Sequence, residues 1–80
     1  MQADRSKILN ESIKRLLRRN AISHLHKIVQ KTHAADISMV FPSLSLSNQH
    51  KLFEMMESQQ RGILFSELDE DTLLPFLEGI

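Results

Sequence analysis

The sequence predicts an all-α fold, and three observations carry that expectation. Apolar residues recur at the spacing of one helical face over most of the 80 residues. Period-two alternation is confined to Ser43-Leu44-Ser45-Leu46-Ser47, a serine-rich run behind Pro42 that reads as a loop. Lastly, Phe41-Pro42-Ser43-Leu44 followed by Leu52-Phe53-Glu54 recurs 24 residues later as Phe65-Ser66-Glu67-Leu68 followed by Phe76-Leu77-Glu78. A helix ending, a polar capped turn and a short amphipathic helix, repeated, favour a small superhelix of stacked helix pairs over a symmetric bundle.

The first helix is expected over residues 5–19, with Asp4 as N-cap. Its apolar stripe is Ile8, Leu9, Ile13, Leu16 and Leu17, and Lys7, Glu11, Lys14, Arg15 and Arg18 lie opposite. Glu11 precedes Arg15 by four residues, the favourable order for a helical ion pair. The basic end suits the helix dipole, and Asn20 can close the helix in the left-handed conformation. A second helix, residues 21–31, shows Ile22, Leu25, Ile28 and Val29 on one side. The short turn leaves two arrangements open, a packed hairpin or one slightly bent arm.

Thr32 or His33 can cap a third helix beginning near Ala34, with Asp36 in its first turn and Ile37, Val40 and Phe41 facing inward. Pro42 ends or kinks it. Ser47 is the expected N-cap of a fourth helix, residues 48–57, burying Leu52, Phe53 and Met56. A fifth, residues 59–66, offers Ile63, Leu64 and Phe65. Asp69 caps a final acidic turn leading to Leu73, Leu74, Phe76 and Leu77. Because Pro75 fits only a first turn, the last helix is expected to start as late as Thr72.

The whole chain, residues 1–80, reads as a single module: a basic amphipathic helix over residues 1–20 and helical repeats over 21–80. A chain of this size buries only about 60–65% of its unfolded surface, so its stability is expected to be marginal. It has no cysteine, so no disulfide framework exists, which fits a reducing cytoplasm. The start leads into a charged helix rather than an apolar signal core, and no apolar run approaches the roughly 20 residues of a membrane span. Charge is polarised: residues 1–40 carry eight Lys or Arg against three acids, net +5, and residues 41–80 carry two against seven, net −5. Such halves attract each other within one domain or pair head-to-tail between copies, or else serve two partners of opposite charge.

The segment His33-Ala34-Ala35-Asp36-Ile37 resembles the His-Pro-Ala-Asp-Ile signature of the intracellular N domain of MgtE-type magnesium transporters. The Phe41-x-x-Leu44 turn and Leu64-Phe65-Ser66-Glu67-Leu68-Asp69-Glu70-Asp71 continue the same register, so the resemblance spans about residues 21–80. It implies a right-handed superhelix of about five to six short helices, behind the longer basic N-terminal helix, an architecture shared with the flagellar motor switch protein FliG. It also implies a cytosolic regulatory domain that docks on partner domains, CBS domains in that family, in response to magnesium. Two departures stand out. Ala34 replaces the family's preferred proline, and Arg61-Gly62-Ile63-Leu64 holds no acid where family members can place a metal contact.

The candidate ion site is Glu67, Asp69, Glu70 and Asp71, since magnesium wants carboxylate oxygens and keeps much of its water. Helix capping by Asp69, with Glu70 and Asp71 favouring the dipole, explains the same residues without a metal. Magnesium is therefore expected only at an interface where a partner adds ligands. The candidate partner surface is Lys14, Arg15, Arg18 and Arg19. These cations also suit nucleic-acid phosphates, but the chain has no Trp or Tyr to stack bases and its acidic half repels a polyanion. The four histidines have no zinc-site spacing. No cysteine nucleophile, no Gly-x-Ser-x-Gly elbow and no glycine loop is present, so no enzyme activity is expected. If the first helix projects from the core, its apolar stripe favours scaffolding or dimerisation.

Overall fold

The computed structural model describes residues 2–79, with side chains from Lys7 to Gly79. The helices run in the order α1 (Gln2–Arg18), α2 (Ile22–Lys31), α3 (Ala34–Val40), α4 (Leu46–Met55), α5 (Ser58–Glu67) and α6 (Glu70–Glu78), with a 3-10 turn, Phe41–Ser43, between α3 and α4. No strand occurs among the described residues. The all-α expectation is met.

Helix α1 begins at Gln2, so Asp4 lies inside it rather than capping it, and that side chain is outside the described ones. Its C-terminus closes as a Schellman turn. Asn20 takes φ = 55°, its N–H donates to the Leu17 carbonyl at 3.1 Å, and the Ala21 N–H donates to the Leu16 carbonyl at 2.9 Å. The reversal folds α2 back onto α1, so the bent-arm alternative does not occur. Ile13, Leu16 and Leu17 are buried and Leu9 is half-buried, whereas Ile8 stays exposed at the outer side.

Thr32 does not cap α3. Its hydroxyl turns back to donate to the Ile28 carbonyl at 2.6 Å, and His33 holds the N-cap position with no side-chain bond. Pro42 does end α3, and the chain tightens there into the 3-10 turn.

The cap of α4 is Ser45, not Ser47: the Asn48 N–H donates to Ser45 Oγ at 3.2 Å. Starting at Leu46 aims Gln49 and Leu52 inward, and Gln49 Nε2 donates to the Phe41 carbonyl at 2.8 Å. Helix α6 starts at Glu70, earlier than expected, with Pro75 inside it. Asp69 caps it by accepting from the Thr72 N–H at 3.2 Å. The carbonyl that Pro75 leaves without a helical donor belongs to Asp71, an exposed residue that water can serve.

The core is one cluster. Ile13, Leu25, Val29, Ile37, Val40, Phe41, Leu52, Leu64 and Phe76 are fully buried. Phe76 sits at its aromatic centre, 5.2 Å from Phe41 and 5.1 Å from Phe53 between ring centroids, both edge-on, with His50 stacked on it at 4.5 Å. Several residues expected inside lie outside: Ile22, Ile63, Leu74 and Leu77 are exposed. The Cα radius of gyration is 11.7 Å. A folded chain of this length is expected at about 11.6 Å, so α1 belongs to the same packed body as the rest.

A stricter period underlies the 24-residue repeat. The N-cap positions of α2 to α6 are Ala21, His33, Ser45, Glu57 and Asp69, each twelve residues after the last. An apolar pair keeps the same phase: Leu16-Leu17, Ile28-Val29, Val40-Phe41, Leu52-Phe53, Leu64-Phe65 and Phe76-Leu77. Packing follows it, with α1 on α3, α2 on α4, α3 on α5 and α4 on α6, while α1 also packs on α2.

Candidate interaction surfaces

The signature-like segment His33 to Ile37 has a structural task. Ala34 and Ile37 are buried, His33 takes the extended N-cap conformation, and Asp36 is an exposed first-turn acid. Small and aliphatic residues are what α3 needs where it packs on α1 and α5.

Beside it lies an open groove of about 260 Å3, lined by residues that include Lys31, His33, Glu57, Gln59 and Ile63. Gln60 spans its wall. Its Nε2 donates to the carbonyls of Val29 (3.0 Å) and Thr32 (3.2 Å), and its Oε1 accepts from the Glu57 N–H at 3.0 Å. These bonds tie α5 to the C-terminal end of α2.

Arg61, the first residue of the stretch Arg61-Gly62-Ile63-Leu64, is tied to the end of α4. Its Nε donates to the Phe53 carbonyl at 3.0 Å and its Nη2 to the Glu54 carbonyl at 3.4 Å, and its guanidinium lies 4.4 Å from the Phe53 ring centroid. A cation on the last carbonyls of α4 opposes the negative end of that helix. Gln60 did not stand out in the sequence, and Arg61 did so only as part of a stretch without an acid. Both reach backbone carbonyls of other helices, and such partners carry no residue pattern.

The acids Glu67, Asp69, Glu70 and Asp71 are all exposed at the α5–α6 turn. Asp69 uses one carboxylate oxygen as the α6 cap, and Glu70 and Asp71 occupy the first turn of α6. They are neighbours in sequence, yet no three His, Cys, Asp or Glu side chains among the described residues gather as a metal site.

The cations divide differently. Arg15, Arg18 and Arg19 are exposed and Lys14 is half-buried; Lys14, Arg15 and Arg18 lie on the C-terminal half of α1 and Arg19 in the turn after it. Arg15 and Arg18 lie in the last helical turn, where a positive charge is favoured. Packing therefore leaves the two charged surfaces open to solvent. No helix among the described residues is long and apolar enough to cross a membrane. No protein-family model, curated protein or solved structure matches the chain.

Proposed function

We propose that the chain is a non-catalytic protein-docking module whose exposed basic face on α1 engages an acidic partner domain. The observation that carries this reading is the exposure of Arg15 and Arg18, with Arg19 just past them, on a helix whose other side is locked into the core by Ile13, Leu16 and Leu17. Held this way, the helix backbone is already ordered when a partner arrives, so only the side chains have to be fixed, and their charges steer its approach.

The finer architecture proposed is a superhelix. The twelve-residue cap spacing and the contacts between helices two places apart support it, as does the resemblance to the N domain of MgtE-type transporters. On that resemblance the role is cytoplasmic and regulatory, the partner is a CBS-type domain pair, and magnesium acts where the Glu67–Asp71 turn meets ligands from the partner.

The test is a titration of the 15N-labelled chain with a recombinant CBS-domain pair from an MgtE-type transporter, with and without magnesium. Saturable shifts at Lys14 to Arg19, weakened about tenfold by Arg15→Glu with Arg18→Glu, are expected. Absence of any shift at millimolar partner would sink the docking reading. Shifts at the same residues with duplex DNA at low salt, and none with protein, would move the assignment to nucleic acid.

A further inference from the structure

We propose that copies of this chain associate head to tail, the outer face of α6 in one copy seated on the outer face of α1 in the next. The first support is the twelve-residue period. The fourth residue after each cap is Leu25, Ile37, Gln49, Arg61 and Leu73 in turn; the first three are buried and the last two half-buried. The eighth is Val29, Phe41, Phe53, Phe65 and Leu77; exposure is 0% at Val29 and Phe41 and reaches 42% at Leu77. Two of the rings at the eighth position, Phe41 and Phe53, pack edge-on against Phe76 of the later helix α6, and among the described residues α6 packs on α4 with no later helix beyond it. Its outer side is thus a stacking face with nothing stacked on it: Leu73 is half-buried, and Leu74 (54%) and Leu77 are exposed.

Charge selects the occupant. The α6 leucines are framed by exposed Glu70, Asp71 and Glu78, so the face is apolar with an acidic rim. The outer face of α1 is its complement. Ile8 is 64% exposed, and Glu11, Arg15 and Arg18 follow on the same side at helical spacing, with Lys7 and Lys14 flanking the one acid. The dimensions also agree. Ile8 and Arg15 are seven residues apart, as are Leu77 and Glu70, which is about 10.5 Å in each helix. An antiparallel placement sets Ile8 against Leu77 and Arg15 against Glu70, and it aims Arg18 at the acidic turn. It also opposes the two helix dipoles.

The contact joins two different faces, so each added copy leaves one of each free and the series extends past the dimer, as an open chain or a ring. Two short helix faces bury less than the roughly 1,600 Å2 of a standard interface, so the association is weak, with Kd on the order of 100 μM.

Sedimentation velocity at 50 mM salt tests this. The unaltered chain is expected to show a weight-average sedimentation coefficient that climbs past the dimer value between 20 μM and 1 mM, and falls back at 500 mM salt. Arg15→Glu with Arg18→Glu makes both faces acidic, and Glu70→Arg with Glu78→Arg makes both basic. Each variant alone is expected to stay monomeric, with helix content by circular dichroism as a folding control, and a mixture of the two is expected to associate again. A monomer at 1 mM, a closed dimer indifferent to the α6 changes, or a mixture that stays monomeric would each overturn the proposal. The docking reading is tested separately at 20 μM without magnesium, where Glu78→Arg, outside the Glu67–Asp71 turn, leaves CBS-domain binding at α1 unchanged.

Discussion

Gln49 stands out among the single side chains because half of its amide is stranded. Its Nε2 donates to the Phe41 carbonyl, while its Oε1 is buried with no hydrogen-bond partner. The Phe41 carbonyl also accepts the Leu44 N–H at 3.1 Å, so it keeps a donor if the amide is removed. The equivalent residues one and two units earlier are Ile37 and Leu25. Gln49→Leu is therefore expected to stabilise the fold by about 1 kcal/mol, because it removes an unpaired buried acceptor. Urea unfolding is the check, and a loss of 1 kcal/mol or more would mean that the amide oxygen has a bound water or another partner. Sequence inspection passed over this residue for a physical reason. A polar residue at an inward phase breaks the apolar pattern through which the period is seen, and Arg61 breaks it again twelve residues later.

At the scale of elements, the turns govern the layout. Asn20 is the sole non-glycine residue with positive φ among those described, and the hairpin of α1 and α2 depends on it. Asn20→Val places a β-branched side chain in the left-handed region and is expected to cost about 1–2 kcal/mol, whereas Asn20→Gly should be near neutral. Thermal melts of the two variants check this, and equal melting temperatures would show that the turn tolerates another conformation. The Asn20 closure and the Asp69 cap were both legible in the sequence, since each rests on a side-chain type at a helix end. The choice of Ser45 over Ser47 was not. Either serine can cap, and the decision lies in the inward aim of Gln49 and Leu52, which is tertiary. The start of α6 was misread because the cost of Pro75 was weighed without the water available at the Asp71 carbonyl.

Across the whole molecule, burial is uneven. Helix α3 carries four buried residues, Ala34, Ile37, Ser38 and Val40, and packs on both α1 and α5, whereas α6 carries one, Phe76. Amide hydrogen exchange is therefore expected to be at least about tenfold faster in α6 than in α3 under native conditions. Equal protection would mean that the helices open only together. Helix number and type were readable from periodicity, and so was the separation of charge. The pairing of each helix with the one two places on was not, because contacts distant in sequence leave no local trace. The same limit applied to the charged surfaces: composition showed two signs of charge, and only packing put them on α1 and at the α5–α6 turn, each facing solvent.

The constant distance between caps bears on how such a chain can grow. Because helices pack two places apart, an inserted copy of one twelve-residue unit would push every later helix into the opposite row, against neighbours that its side chains do not fit. A duplicated pair of units, 24 residues, returns each later helix to its own row with its old neighbour type. Lengthening by pairs is therefore the step that preserves the packing, and the first repeat visible in the sequence has that length.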